Sequence, residues 1–205
     1  MMAAYAAAKS GAQVTLYEKN EKLGKKIYIT GKGRCNVTND CSRDVFFDQV
    51  VTNPKFLYSA FETFDNQAVM QLLEQAGCPL KTERGNRVFP QSDKAADIID
   101  ALFLWVKKAG VTIVHTTADE LLIEDGVLTG VRAGHKTYKA DRVIVATGGA
   151  SYPQTGSTGD GYRFAKQAGH TVVPANPSLV PLVEDGDTCQ KANGSQPAQR
   201  AADRV

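Results

Sequence analysis

Apolar and polar positions follow different rhythms along the chain, and each rhythm predicts a different element. MMAAYAAAKSG is a helix in composition, closing on a basic residue and then Gly11, where a helix stop is expected. QVTLYEKN follows as an apolar strand over residues 14–17 ending at Glu18, and KNEKLGKKIYITGKGRCNVTND then reads as irregular. From Asn53 to Trp105 the apolar spacing becomes three and four. NPKFLYSAFETF and NQAVMQLLEQAG predict helices, the second stopped by Gly77 and Pro79, and KTERGNRVFP predicts a short hairpin. SDKAADIIDALFLWVKKAG predicts an amphipathic helix with Ser92 as N-cap and Gly110 as stop. VTIVHTT, DELLIED, VLTGVRAG and KTYKADRVIVATGG alternate as short strands broken at Asp125-Gly126 and Gly134. They predict a β-meander that leads into RVIVATGG, a run of the buried parallel-strand type. After a strand at residues 179–183 the periodicity fades, which predicts a disordered tail over 186–205.

Bulk composition narrows the class. The 205 residues, 42% hydrophobic and 22% charged, suit one sizeable core or one domain with an insertion. A net charge of +2 is too mild to announce nucleic acid, and none is expected as partner. No apolar run approaches the roughly 18 residues of a membrane span, so no membrane partner is expected and the chain reads as cytoplasmic. The cysteines, Cys35, Cys41, Cys78 and Cys189, form no CxxC pair and have no histidine at metal spacing, so they read as reduced thiols, and no metal site is assigned.

Candidate chemistry begins at ATGGASYPQTGSTGDGY, residues 146–162, a glycine cluster entered from an apolar strand and left by a helix. Glycine lets the backbone approach a ligand closely, and amides at a helix start favour electron-rich groups. The chain therefore reads first as a nucleotide-cofactor binder. Glu18 stands where the second strand of a βαβ unit carries a ribose-binding acid, with a solvated strand-end acid as the alternative. Gly24, Gly31 and Gly33 lie among Lys19, Lys22, Lys25, Lys26, Lys32 and Arg34, which is either a cofactor loop or a solvated basic one. Phe56, Tyr58, Phe61, Phe64 and Trp105 fall on apolar helical faces and read as core. His115 reads as structural, and His135 and His170 show no partner. The glycine-rich turn that should open such a fold does not precede the first helix, so the chain reads as a fragment.

TGKGRCNVTN, RVFPQSDKAADIIDAL and ATGGASYPQTGSTGDGY, in that order and at this spacing, resemble the BaiN-type NAD(P)/FAD-dependent oxidoreductases, also labelled aminoacetone oxidase family FAD-binding enzymes. The resemblance covers about residues 1–183. It implies an α/β fold, an incomplete glutathione-reductase-like, Rossmann-type FAD-binding domain with a β-meander and a helical insertion at about 53–109. That partial domain would span 1–185, without its first strand and GxGxxG turn, and a second, β domain would be absent. Carried over by position, Glu18 would hold the adenosine ribose, with Lys19, Gly24 and Lys25 beside it. Gly33, Arg34, Cys35, Asn36 and Thr38 would lie along the pyrophosphate and flavin, and Ala118 would offer backbone groups to the adenine. Ala146, Thr147, Gly148 and Gly149 would form the strand end under the pyrophosphate, and Ser157, Thr158, Gly159, Asp160 and Gly161 would open a helix facing the cofactor.

The function implied is a flavin-dependent oxidoreductase in which hydride enters FAD from NAD(P)H or a substrate and leaves to an unsaturated or oxygen acceptor. The substrate would be a small molecule, and no catalytic residue or oligomeric state is assigned. A thiol role for Cys35 near the flavin is disfavoured, since no second cysteine stands at CxxC spacing. The alternative is a non-catalytic remnant with weak or no FAD binding. A third reading, an RNA-associated flavoprotein, rests only on the cations between Lys19 and Arg34.

Overall fold

The computed structural model describes residues 1–176, which fall into two units, Met1–His170 and the first residues of Thr171–Val205. Residues 171–176 carry no helix or strand. The first unit opens with α1 (Met2–Lys9), which stops before Gly11 at φ +90°, and continues with β1 (Thr15–Glu18), α2 (Lys25–Ile29) and a 3-10 turn at Thr30–Gly33. β2 (Thr38–Asn39) and α3 (Arg43–Asp48) follow. After a 3-10 turn at Pro54–Leu57 come α4 (Tyr58–Thr63), α5 (Asn66–Gln75), β3 (Leu80–Glu83), β4 (Arg87–Pro90) and α6 (Ala95–Lys108). The remainder is β5 (Thr112–His115), β6 (Ala118–Glu124), β7 (Val127–Ala133), β8 (Lys136–Lys139), a 3-10 turn at Pro153–Thr155 and α7 (Asp160–Gln167).

Three small sheets organise these elements. β1 and β5 pair in parallel from Thr15↔Thr112 to Glu18↔His115, joined by a long crossover of the kind parallel strands require, here made of α2–α6 and strands β2–β4. β2, β4 and β3 form an antiparallel sheet whose hairpin turns through Gly85 and Asn86, both at positive φ. β6, β7 and β8 form the meander. Its first turn is Asp125-Gly126, with both residues at positive φ, the geometry that matches strand twist in a tight hairpin. Gly130 is required in β7, because a Cβ there would stand 2.2 Å from the Tyr138 carbonyl oxygen of the neighbouring strand.

Two apolar clusters hold the unit together. The larger joins Leu72 and Leu73 of α5, Ala95, Ile98 and Ala101 of α6, and Cys35 and Cys78. The three- and four-residue spacing of α6 puts these residues on one face, and Trp105 adds an Nε1–H donated to the Leu72 carbonyl at 2.9 Å. Asp65 caps α5 by accepting the Ala68 N–H at 2.8 Å. The smaller cluster packs Leu121 and Val131 of the meander against Phe164 of α7. The Gln167 side chain completes that docking by bonding both the N–H and the carbonyl of Leu121, at 3.0 and 2.7 Å.

The structure bears out the parallel α/β character, the hairpin, the meander and the main helices, and it corrects several details. VTIVHTT belongs to the parallel pair rather than the meander. Residues 143–146 form no strand, and no strand pairs with them among the described residues, so their backbone lacks the ladder that would fix it. The N-cap of α6 is Lys94; Ser92 Oγ instead accepts the Lys94 N–H at 3.2 Å, just ahead of the helix. The stretch read as irregular contains α2 and β2, and α3 follows it. Phe56, Tyr58 and Phe64 are exposed rather than core, while Phe61 stacks on Phe46 at 4.5 Å between ring centres. The expected strand at 179–183, the tail at 186–205 and Cys189 lie outside the described residues.

Candidate cofactor site

The carboxyl end of the parallel pair meets the glycine-rich segment. Glu18 ends β1 opposite His115, and its Oε1 accepts both the backbone N–H and the side-chain Nδ2–H of Asn20, at 2.8 and 2.7 Å. Asn20 also donates to the Thr155 carbonyl at 3.4 Å, and its own carbonyl lies 3.0 Å from His115 Nδ1. Asn20 thereby ties three chain segments at one point. Beside it, Lys19 Nζ donates to Thr158 Oγ1 at 2.7 Å and to Asp160 Oδ2 at 2.6 Å. The Lys19 hydrogen bond holds the Asp160 carboxyl below its ordinary range, with Thr158 and Arg163 adding to the effect.

Glycines shape the opposite wall. Gly148 has φ +75°, and a Cβ on it would stand 2.9 Å from Ser157 Oγ. Gly159 caps α7 from the left-handed region at φ +80°, and a Cβ on Gly161 would approach Thr147 Oγ1 to 3.3 Å. Ser157 is buried, and Thr147 Oγ1 is buried without a hydrogen-bond partner among the described residues. An orphaned hydroxyl beside a cradle that side chains would fill fits a polar ligand approaching the backbone closely. FAD passes this test, since its phosphates and ribityl chain supply acceptors and donors of that kind.

The remaining candidates divide between this cradle and the small sheet. Gly24 opens α2 at φ +73°, and it is needed for packing, because a Cβ would lie 2.8 Å from Ile99 Cγ1 on α6. Lys25 is exposed, and Gly33, at φ +84°, faces open space. Arg34 turns to the hairpin, where it pairs with Glu83 and Asp93 and lies over the Phe89 ring at 4.1 Å. Arg34 draws the Glu83 carboxyl down, and Lys81 followed by Arg34 draws Asp93 down. Cys35 is buried at φ +61°, and burial pushes its thiol up, which disfavours thiolate chemistry. Cys78 is pushed up to about 11 by the same cause. Thr38 pairs with Val88 in the small sheet, and Ala118 begins β6. Glu18, Lys19, Thr147, Gly148, Ser157, Thr158, Gly159, Asp160 and Gly161 are thus brought together, while Arg34 and Thr38 are committed elsewhere.

The sequence did not single out Asn20 or Thr155, and it offered Lys26 only as one cation of the basic loop. Lys26 Nζ donates to the Ser151 carbonyl at 2.9 Å, with Ser151 Oγ at 3.3 Å and Ser157 Oγ at 3.4 Å. Lys26 also lines a cavity of about 300 Å³ with Thr30, Cys35 and Asn36, under the aliphatic side chains of Ile27, Leu72 and Ile98. Within the pair Lys25-Lys26, only the helical phase of α2 distinguishes the inward lysine from the exposed one. Among the described residues there is no group of three or more His, Cys, Asp or Glu side chains able to hold a metal, and no helix is long and apolar enough to cross a membrane.

Known proteins place this geometry in a family. A profile of the HI0933-like protein Rossmann domain matches residues 1–189. The 3-dehydro-bile acid delta(4,6)-reductase of Clostridium scindens is 34% identical over 196 residues, covering 95% of this chain and 47% of that protein. The ribosomal RNA dihydrouridine synthase of Haemophilus influenzae is 29% identical over 180 residues, covering 85% of this chain and 44% of that protein. The chain therefore spans about half the length of the curated relatives it matches. The crystal structure of L-proline dehydrogenase from P. horikoshii superposes with a TM-score of 0.44 at 16% identity, over 81% of this chain and 52% of that one. With a profile spanning nearly the whole chain and a relative one-third identical, the chain belongs to the HI0933-like Rossmann-domain family, a family of FAD-binding oxidoreductases.

Proposed function

We propose that this chain is the FAD-binding part of a flavin-dependent oxidoreductase that reduces carbon–carbon double bonds of a small unsaturated substrate, with NAD(P)H as electron donor. The observation that carries the reading is the convergence of Glu18, Lys19 and Asn20 with residues 147–161 at the carboxyl end of a parallel strand pair, the place where open α/β sheets take their ligands. FAD, when bound, would supply the hydride chemistry. The protein's own work there is to bind and orient. Glu18 has one oxygen engaged by Asn20, which leaves Oε2 to accept ribose hydroxyls. Thr147 Oγ1 and the amides opening α7 would meet the cofactor's polar chain. One relative is named a delta(4,6)-reductase and another a synthase of a dihydro product, and both names support an unsaturated substrate.

RNA as the substrate is the second reading, favoured by the dihydrouridine synthase relatives. The basic loop supports it less than its sequence suggests, because Lys19 and Arg34 are neutralised by Asp160, Glu83 and Asp93. Equilibrium dialysis tests the primary reading. Glu18→Ala should weaken FAD by roughly tenfold or more, since hydrogen bonds to a charged group contribute about 1.5–3 kcal/mol each. Unchanged FAD affinity would remove Glu18 from the site, and salt-sensitive RNA binding that competes with FAD would favour the second reading.

A further inference from the structure

Tyr152 is held in a backbone conformation that its side chain does not favour. Its φ of +55° and ψ of +66° lie in the left-handed region, where Cβ crowds the following carbonyl oxygen and a bulky residue is an outlier. Asn53, Asn86, Asp93 and Asp125 share positive φ, but their short polar side chains tolerate it. Lys32 continues a left-handed turn begun by Gly31, and Cys35 is buried in the larger apolar cluster, where packing offsets the strain. Neither account applies to Tyr152, whose residue is 56% exposed and belongs to neither apolar cluster.

The surrounding bonds over-determine this geometry. The Ser151 carbonyl ahead of Tyr152 accepts from Lys26 Nζ at 2.9 Å, and the Tyr152 carbonyl accepts both the N–H and the Oγ1–H of buried Thr155, at 2.9 and 2.7 Å. Thr155 is in turn tied through its carbonyl to Asn20, and Pro153 fixes the next φ. Strain maintained by such a frame, at a side chain that contributes little to packing, belongs with residues that must face a ligand. Lys26 also donates to Ser157 Oγ of the glycine cradle and lies 5.6 Å from the centre of the Tyr152 ring, which sets that ring beside the candidate site. An exposed aromatic face there suits a second flat π system in offset stacking.

Resting on the functional reading above, we propose that Tyr152 is a ligand-contacting residue whose ring stacks on a flat conjugated ring bound at the candidate site. The ring of a flavin and the ring of an unsaturated substrate share that chemistry. The contact is made by the aromatic face, so the hydroxyl is dispensable and the ring is not.

Two measurements on the unaltered chain and on Tyr152→Phe, Tyr152→Ala and Tyr152→Gly test the assignment. The first is equilibrium dialysis, at up to millimolar ligand, with riboflavin, with coumarin as a flat uncharged ring containing a conjugated carbon–carbon double bond, and with ADP as the adenosine end of the dinucleotide. Tyr152→Ala and Tyr152→Gly should weaken riboflavin, coumarin or both by roughly three- to tenfold, Tyr152→Phe should keep the affinity, and ADP should be unchanged throughout. A loss for riboflavin assigns the contact to the flavin ring, and a loss for coumarin alone assigns it to the substrate ring. The second is urea denaturation, in which Tyr152→Gly should unfold at a higher midpoint than Tyr152→Ala, because glycine alone relieves the left-handed backbone. The same substitution would then stabilise the chain and weaken its ligand. Unchanged affinity for both rings, an equal loss for ADP, or a Tyr152→Gly chain no more stable than Tyr152→Ala would overturn the assignment. An unaltered chain that binds ADP but neither ring would overturn it and leave the FAD reading standing, whereas a chain that binds none of the three would overturn both.

Discussion

β5, with the sequence TIVH, and residues 143–145, with the sequence VIV, are nearly the same material and have different outcomes. In β5 every residue has a partner on β1, and Ile113 and Val114 are half-buried. Residues 143–145 have no ladder partner among the described residues, and Ile144 is 63% exposed and Val145 44% exposed. β-branched composition states a readiness to pair, and the neighbouring strand decides whether pairing occurs. The glycine turn that follows the unpaired run is nonetheless tied down, by backbone bonds such as that from the Gly159 N–H to the Gly149 carbonyl at 3.0 Å and by side-chain contacts from Lys19, Asn20 and Lys26 rather than by a sheet ladder.

Side-chain truncation should separate the two regions most widely. Leu121→Ala, in a paired strand packed on Val131 and Phe164, should cost about 2–5 kcal/mol, whereas Ile144→Ala should stay within about 0.5 kcal/mol. Urea denaturation reads both, and equal losses would break the comparison. The turn beyond the unpaired run offers the next largest effect. Gly148→Ala meets both a left-handed backbone and Ser157 Oγ, and should cost about 1–2 kcal/mol or more in the same assay. Gly149→Ala, with open space around it, should cost less, and reversal of that order would show that the cradle is not fixed as described.

The smallest effect expected is the pH response of the ion pairs. Asp160, Glu83 and Asp93 are all held below their ordinary values by cations. A carboxylate depressed in the folded state contributes stability that is present above its unfolded pKa of about 4 and lost as pH falls through the folded value. Stability should therefore decline below about pH 4. Asp160→Asn should flatten a small part of that decline, with Glu83→Gln and Asp93→Asn together removing a further part. An acid limb unchanged by all three substitutions would show that these pairs are too solvated to matter.

Much of this was legible in the chain. Helix periodicity found α5 and α6, the Asp125-Gly126 turn found the meander, and the glycine cluster and Glu18, singled out in the sequence, meet at the carboxyl end of the parallel pair, where the candidate site is proposed. What escaped depends on three-dimensional neighbours. Arg34 looked like a phosphate ligand because its glycine-rich setting was visible, but its carboxylate partners, Glu83 on the hairpin and Asp93 in the loop ahead of α6, lie 49 and 59 residues later in the chain. Asn20 gave no local signal, and the basic loop did not tell Lys26 from its neighbouring lysines, since their contacts exist only once residues 151–158 fold back on them. Phe56 and Tyr58 follow helical spacing, but their faces remain exposed.

Amide NMR shift mapping during an FAD titration reads directly whether the end of β1 and the glycine-rich segment together form a cofactor site. Saturable shifts are expected at Glu18–Asn20, Lys26, Thr147–Gly149 and Ser157–Gly161, with residues 127–139 of the meander undisturbed. The absence of saturable shifts at millimolar FAD, or shifts centred on the meander, would contradict that expectation.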